Sequence, residues 1–510
     1  MSIAPIYLAP CLLICAALAA FAGPGFRPRL TLFIVEAAAL AALAVALCAA
    51  VLLWAQGAET SALAGWAGVG FSLRLDAVSV VMLLLVSFVG WVVLRYSATY
   101  LDGEARQGSF MGWMALVLAA VMLLVTAGNL GQLVVAWVGV ALGLHRLLLF
   151  YPDRLQAQRA ARKKAVTARM GDASVIAASV VLVAAFGTGD IATLNATAHG
   201  PWAMVAAGLL AVAAVLKSAL FPVHGWLVEM METPTPVSAL LHAGVVNAGG
   251  FLLIRLADVM LAAPGVLAVL VAVGGFTALV AGLVMLTQTA VKTALAWSTI
   301  AQMGFMILQC GLALFPLALL HIVAHSLYKA HAFLSSGSAV NEVRAQRRPG
   351  PVAIPSARAV LRAFALALAI YAAVGVGFGL HDKSAQALAL GAMLIFGVAY
   401  LIAQGLADAA PRALMWRVLV GSGLAAVSYF ALQTGAVALM RGTLPATPPP
   451  GPLEWALIVL AVASFGAVAL AQAMFPLWSQ HPAARGLRVH LANGLYANAV
   501  FDRLTHGFAR

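Results

Sequence analysis

The sequence predicts an all-α polytopic membrane protein with about 15 transmembrane helices, and three observations carry that reading. Apolar residues make up 64% of the 510 residues and charged residues 9%, where a soluble chain carries roughly 25% charge. So few charges cannot cover a water-facing surface, and so apolar a chain is not disordered. The apolar residues also fall into long runs. Finally, the lysines and arginines gather on alternate connections between those runs.

The runs lie at about 5–22, 31–55, 76–95, 110–127, 130–150, 172–187, 201–221, 236–257, 264–287, 293–313, 315–338, 359–378, 386–406, 413–440 and 453–476. Each is long enough for a helix to cross the hydrocarbon core, and a barrel would show shorter alternating segments. The first run is read as a span and not as a signal peptide, since no basic residue precedes Pro5. With the first connection placed in the cytoplasm, only Arg74, Arg255, Lys383 and Arg441 of the 29 basic residues fall outside, and Lys217 and Lys329 lie within spans. That bias orients the chain with its N-terminus outside and its C-terminus in the cytoplasm of a bacterial inner membrane. It also accounts for the net charge of +13. The basic loop 151–170 is thereby read as a topology signal and not as a nucleic-acid surface.

Two irregularities break the pattern. Pro222 and Gly225 interrupt the span that starts near Pro201, and Thr233-Pro234-Thr235-Pro236 begins the next helix, with proline where a free amide would go unpaired. Gly375-Val376-Gly377-Phe378-Gly379 forms the second. The stretches Arg344–Pro355 and Pro445–Pro452 are too short to separate domains, so residues 1–476 read as one transmembrane domain and 477–510 as a cytoplasmic amphipathic tail. If Gly486 to Phe508 is helical, Leu487, Leu491, Leu495, Phe501 and Phe508 share one side and Asn493 and Arg503 the other. Cys11, Cys15, Cys48 and Cys310 sit in apolar runs without ligand spacing, and no metal site or cofactor is expected.

A charge inside the bilayer is expensive and is by default a functional hypothesis. Lys217 lies deep in its span just before the Pro222 break, and a broken helix admits water and exposes backbone groups. His321, His325 and Lys329 follow at i, i+4 spacing and share one helix face, a line of titratable groups suited to proton hopping. His331 falls off that line. His242 and Asn247 lie in the span after the break, and Lys292 lies at a helix end. Glu36 is the one carboxylate well inside a span and reads equally as a counter-charge or as a residue near an interface. Nothing resembles a nucleophile elbow, a phosphate loop or a haem or flavin site, so the chain reads as a transporter subunit and not as an enzyme.

The segments Lys217–Arg255, Val291–Met306 and His321–Ser338, with Phe71–Leu101, resemble the proton-translocating antiporter-like subunits of respiratory complex I and of multisubunit cation/proton antiporters. The match spans about residues 70–340. The resemblance implies a fold of inverted five-helix repeats, Lys217 as central proton carrier, and His242, Lys292, His321, His325 and Lys329 on a polar axis. Two departures stand out. Val138, in Trp137-Val138-Gly139, replaces the glutamate that partners the family's central lysine, and no second intramembrane lysine occurs between Ala363 and Phe378.

A narrower resemblance rests on Leu144–Arg154, Ala160–Lys164 with Arg169, and Val489–Arg503. These segments are similar to the membrane subunits of DAB-type inorganic-carbon accumulation complexes. That resemblance implies a cytoplasmic partner, a large soluble zinc-containing DabA-type protein of carbonic-anhydrase character. It implies that flow of protons or Na+ through the membrane subunit energises CO2 hydration to bicarbonate. The rival readings are a subunit of a respiratory NADH dehydrogenase or cation/proton antiporter, and a passive membrane anchor.

Overall fold

The computed structural model of the chain describes residues 3–337, 356–405, 412–474, 478 and 481–506. Among them, 13 helices are long and apolar enough to cross a membrane, and Pro201–Lys217 and Ala385–Ala399 are shorter apolar helices. Together they match the fifteen apolar runs.

In chain order the helices are α1 (Leu8–Ala22), α2 (Arg29–Gln56), α3 (Ala77–Tyr100), α4 (Gln107–Val125), α5 (Leu130–Leu148) and α6 (Leu155–Phe186). A short α7 (Ile191–Thr197) precedes α8 (Pro201–Lys217), and α9 (Gly225–Val228) leads to α10 (Thr235–Ala243), α11 (Ala248–Arg255) and α12 (Ala257–Leu261). Then come α13 (Pro264–Met285), α14 (Val291–Gly311), α15 (Phe315–Leu334), α16 (Ala357–Gly377), α17 (Ala385–Gly405), α18 (Arg412–Leu439) and α19 (Pro452–Ala473). The tail forms α20 (Pro482–Ala492) and α21 (Ala497–His506). Strands β1 (Glu59–Thr60) and β4 (Arg74–Leu75) pair antiparallel, as do β2 (Ala64–Trp66) and β3 (Val69–Phe71), between α2 and α3.

Local chemistry sets the helix ends. Asp76 caps α3, accepting from the Ser79 amide while Ser79 Oγ accepts from the Asp76 amide, both at 2.8 Å. Such a reciprocal box satisfies two amides that the first turn leaves open. Asn129 caps α5 at 2.9 Å. Small residues let helices touch: a Cβ on Gly274 of α13 would come within 2.6 Å of the Gly304 carbonyl on α14, the close approach that membrane helices use for packing.

Two expectations change. The basic segment after Arg154 is helix from Leu155 onward, and α6 runs 32 residues. Its buried residues Ala157, Ala160, Ala161, Lys164, Thr167, Gly171, Val175, Ala178 and Leu182 recur every three or four positions. Lys163 and Lys164 are therefore buried inside the protein and are more than a topology signal. Second, the tail is not one helix. Gly494, Leu495 and Tyr496 all take left-handed φ between α20 and α21, so Leu487 and Phe501 do not share a continuous face. Phe508 and the whole 344–355 stretch lie outside the described residues. Pro445–Pro452 packs against the helices: Gln386 donates to the Pro448 carbonyl at 2.9 Å and Thr447 to the Ala313 carbonyl at 3.1 Å.

Candidate functional site: a polar line between two helix breaks

α8 ends at Lys217 itself, so the break begins four residues before Pro222. Ala219 takes a left-handed φ of 53°, and regular helix resumes only at Gly225. Lys217 is half-buried, and its Nζ lies 4.4 Å from the centre of the buried Trp137 ring on α5. A cation over an aromatic face is held without a formal counter-charge.

A carboxylate nevertheless belongs to this neighbourhood. Asp172 on α6 is buried at 4% exposure. A Cβ on the adjacent Gly171 would meet Leu216 Cβ at 3.8 Å, which sets α6 against α8 beside Lys217. The charges of Asp172, Lys217 and Lys164 act on one another. Asp172 also pairs with Arg169 at 3.1 Å. Lys164 Nζ donates to the Ala141 carbonyl of α5. The sequence reading missed this residue because the run 172–187 placed Asp172 at its edge. The signal was the small-residue period of α6, which puts Lys164 and Asp172 eight positions apart on one face.

Glu36 does not join the cluster. It pairs with Arg95 at 3.5 Å, with the two side chains 38% and 67% exposed.

A second break lies in the next span. α10 stops at Ala243, Gly244 leaves helical geometry, and a single 3-10 turn covers Val245–Asn247 before α11. The two breaks touch, since Ser218 Oγ, next to Lys217, donates to the Val246 carbonyl at 2.9 Å. From there polar groups continue into α15. Asn247 donates to the Ala243 carbonyl and to Ser326 Oγ, both at 2.9 Å, and Ser326 neighbours His325.

The sequence-predicted stripe is brought together with His242. His321 and His325 have ring centres 6.0 Å apart, and His321 Nδ1 hydrogen-bonds with Gln309 Oε1 at 2.9 Å. His325 Nε2 donates to the His242 carbonyl at 3.2 Å. Thr299 Oγ1 spends its proton on the Leu295 carbonyl and so accepts from His242 Nδ1, 3.0 Å away. Lys329, fully buried, donates to the same Leu295 carbonyl at 3.0 Å. His242 and Lys329 thus converge on one stretch of α14, and His325 joins them through the His242 carbonyl. His331 is exposed, off the line. Lys292 sits farther along α14, donating to Thr235 Oγ1 at 3.1 Å, and Thr235 in turn contacts the Tyr100 hydroxyl at 3.3 Å. Among the described residues no group of three or more His, Cys, Asp or Glu is placed to hold a metal ion.

A buried ion pair ties the opposite end of α11 to α3. Arg255 Nη1 lies 2.7 Å from Asp76 Oδ2, and Arg74 reaches the same oxygen at 3.1 Å. Burial alone would raise the Asp76 carboxyl. Arg255, by charge and hydrogen bond, outweighs that with help from the Ser79 amide and Arg74, and holds it down to about 2.

Residues 127–370 match the family described as NADH:quinone oxidoreductase/Mrp antiporter, transmembrane, and residues 64–111 match the N-terminus of complex I chain 5. Probable inorganic carbon transporter subunit DabB2 of Halothiobacillus neapolitanus is 37% identical over 463 residues, covering 87% of this chain and 82% of that one. Probable inorganic carbon transporter subunit DabB of Hydrogenovibrio crunogenus is 43% identical over 299 residues, 58% of this chain and 56% of its own length. NADH-quinone oxidoreductase subunit L of Escherichia coli is 37% identical over 279 residues, 53% of this chain and 46% of its own. A solved Mrp complex from Dietzia sp. DQ12-45-1b shares the fold, with a TM-score of 0.66 at 23% identity, covering 99% of this chain and 59% of that one. With identity sustained along most of DabB2, this chain belongs to the DabB family of inorganic carbon transporter subunits, within the antiporter-like group that includes subunit L of complex I.

Proposed function

We propose that this chain is the proton-conducting membrane subunit of a two-component inorganic-carbon uptake complex. The observation that carries the reading is the line from Lys217 at one helix break, through Ser218 and the second break, to Ser326, His325 and Lys329. A packed scaffold has no use for so many buried titratable groups, because each costs free energy to desolvate. Interrupted helices expose backbone groups that water can solvate, and water between the side chains completes a hopping path. Asp172 supplies the carboxylate that position 138 lacks. A proton arriving at Lys217 is balanced by Asp172, then passes toward His325 and Lys329. Na+ is the alternative coupling ion.

The complex sits in the bacterial inner membrane, with the N-terminus outside and the C-terminus in the cytoplasm. The relatives are named as subunits of inorganic carbon transporters, which supports further subunits in the complex, one of them a soluble partner that carries the carbon chemistry. We assign that role to a large zinc-containing DabA-type subunit on the cytoplasmic face. Gentle solubilisation followed by mass spectrometry and zinc analysis tests the assignment. A co-purifying zinc protein is expected. Recovery of the chain with iron–sulfur and quinone-reducing subunits would overturn it in favour of a respiratory complex.

A further inference from the structure

The C-terminal helices fold back onto the break that follows Lys217. Asn498 on α21 is the centre of the contact. Its Nδ2 donates to Glu229 Oε1 at 2.7 Å, and its Oδ1 accepts from Lys163 Nζ at 3.1 Å. Lys163 also pairs with Glu229 and with Asp502 of α21. Lys163 is 8% exposed in its side chain, and Glu229 and Asp502 are about one-quarter and one-third exposed. The seat for Asn498 is Gly225, the first residue of helix after the break, where any Cβ would collide with the Asn498 carbonyl oxygen. Nearby, Gly494 at φ +58° packs so closely on Trp297 that its Cβ would stand 3.0 Å from the ring. Trp297 in turn lies 4.8 Å, centre to centre, from the His224 ring within the break. Gln288 reaches the Ala492 carbonyl at 3.4 Å.

These contacts come from α6, the α8–α10 connection, the α13–α14 connection and the start of α14, and all meet the tail. A tail that merely lay on lipid would not need a glycine seat or a four-member polar cluster. We propose that α20 and α21 form a latch over the cytoplasmic mouth of the interrupted helix. Asn498 and Asp502 are its positioning residues: they hold the Lys163–Glu229 pair closed and so limit proton access to Lys217. This rests on the proton-conducting reading above. A soluble partner that displaces the tail would then open the path only when the complex is assembled.

The full chain, reconstituted in liposomes with a trapped pH dye and a potassium diffusion potential, tests the latch. Asn498→Ala removes a hydrogen bond to a charged group and should raise passive proton flux about tenfold. The Asn498→Ala/Lys217→Ala double variant should return it to background. A covalent lock separates latching from misfolding. An ideal Cβ on Gly225 stands 3.5 Å from Asn498 Cβ, within disulfide range. A Gly225→Cys/Asn498→Cys chain, with the exposed Cys11, Cys15 and Cys48 changed to serine, should be leaky when reduced and tight when oxidised. Wild-type flux in Asn498→Ala, failure of the disulfide to form, a disulfide that leaves the flux unchanged, or a leak that survives Lys217→Ala would each overturn the latch. If the Asn498→Ala vesicles stay tight while Lys217→Ala still abolishes carbon uptake, the latch fails and the conduction reading stands.

Discussion

Lys217 Nζ faces the Trp137 ring at 4.4 Å, directly beside Val138. A cation–π contact is worth about 0.5–2 kcal/mol, less than the cost of leaving a buried charge wholly uncompensated. The contact steadies the ammonium without trapping it, and Asp172 supplies the opposite charge. Lys217→Ala should therefore reduce carbon uptake to background while the chain still inserts, as judged by membrane yield. Lys217→Arg should fail equally, because guanidinium does not release its proton at accessible pH. Full uptake by Lys217→Ala cells would refute the assignment.

Asp172→Asn keeps the shape and removes the charge. Uptake should fall about tenfold, since Lys217 would keep only positively charged neighbours and lose the opposite charge that balances it. Adding Val138→Glu, one residue from Trp137, should recover part of the loss. If Asp172→Asn matches wild type in initial uptake rate, Asp172 is packing only.

The α15 line makes a graded prediction. His325→Leu and Lys329→Leu should each abolish uptake, because His325 holds the His242 carbonyl just before the second break and Lys329 is anchored on α14. His321→Leu should cost less, since His321 binds Gln309 at the end of the line. His331→Leu should be near neutral, the side chain being exposed. Uptake equal to wild type in both His325→Leu and Lys329→Leu would remove the relay.

The Asp76–Arg255 pair predicts an acid limit. The folded Asp76 carboxyl is held at about 2 against an ordinary 3.8. A depressed carboxyl stabilises the fold at pH above its unfolded value, and that contribution fades as pH falls from about 4 toward 2. The full contribution is roughly 2 kcal/mol. Arg255→Ala should lower the midpoint of thermal unfolding in detergent at pH 7, through a loss of about 3 kcal/mol. The difference from wild type should shrink near pH 3. An unchanged difference between pH 7 and pH 3 would exclude Asp76 as the titrating group.

Lys217 and the His321–His325–Lys329 stripe were legible in the sequence because each is a polar outlier in an apolar run and the spacing fixes a face. The break after Lys217 was legible from Pro222 and Gly225, although the helix ends sooner than proline requires. Lys164 was not, because hydropathy averaged over 151–170 reads as a solvated loop, and Asp172 was not, because it stands at the edge of the next apolar run. Only the small-residue period of α6 reveals that this face is buried. The second break was also hidden: Gly244 carries no proline beside it, and its geometry depends on contacts to α8 and α15. The meeting of His242 with Thr299 joins residues 57 positions apart, a distance that local pattern does not reach.

α6 carries Lys163 of the tail contact and Asp172 of the Lys217 cluster on a single uninterrupted rod. Nine residues separate them, about 14 Å along the axis. Such a rod works as a crankshaft. Under the proposed latch, displacement of α21 at one end would be felt at the carboxylate through the helix backbone, without any intervening side chain having to move. The same rigidity makes its length intolerant. One residue inserted between Lys164 and Asp172 would swing the carboxylate by about 100°, away from Lys217. Loops elsewhere can drift in length through evolution, but this stretch of α6 has to keep its count.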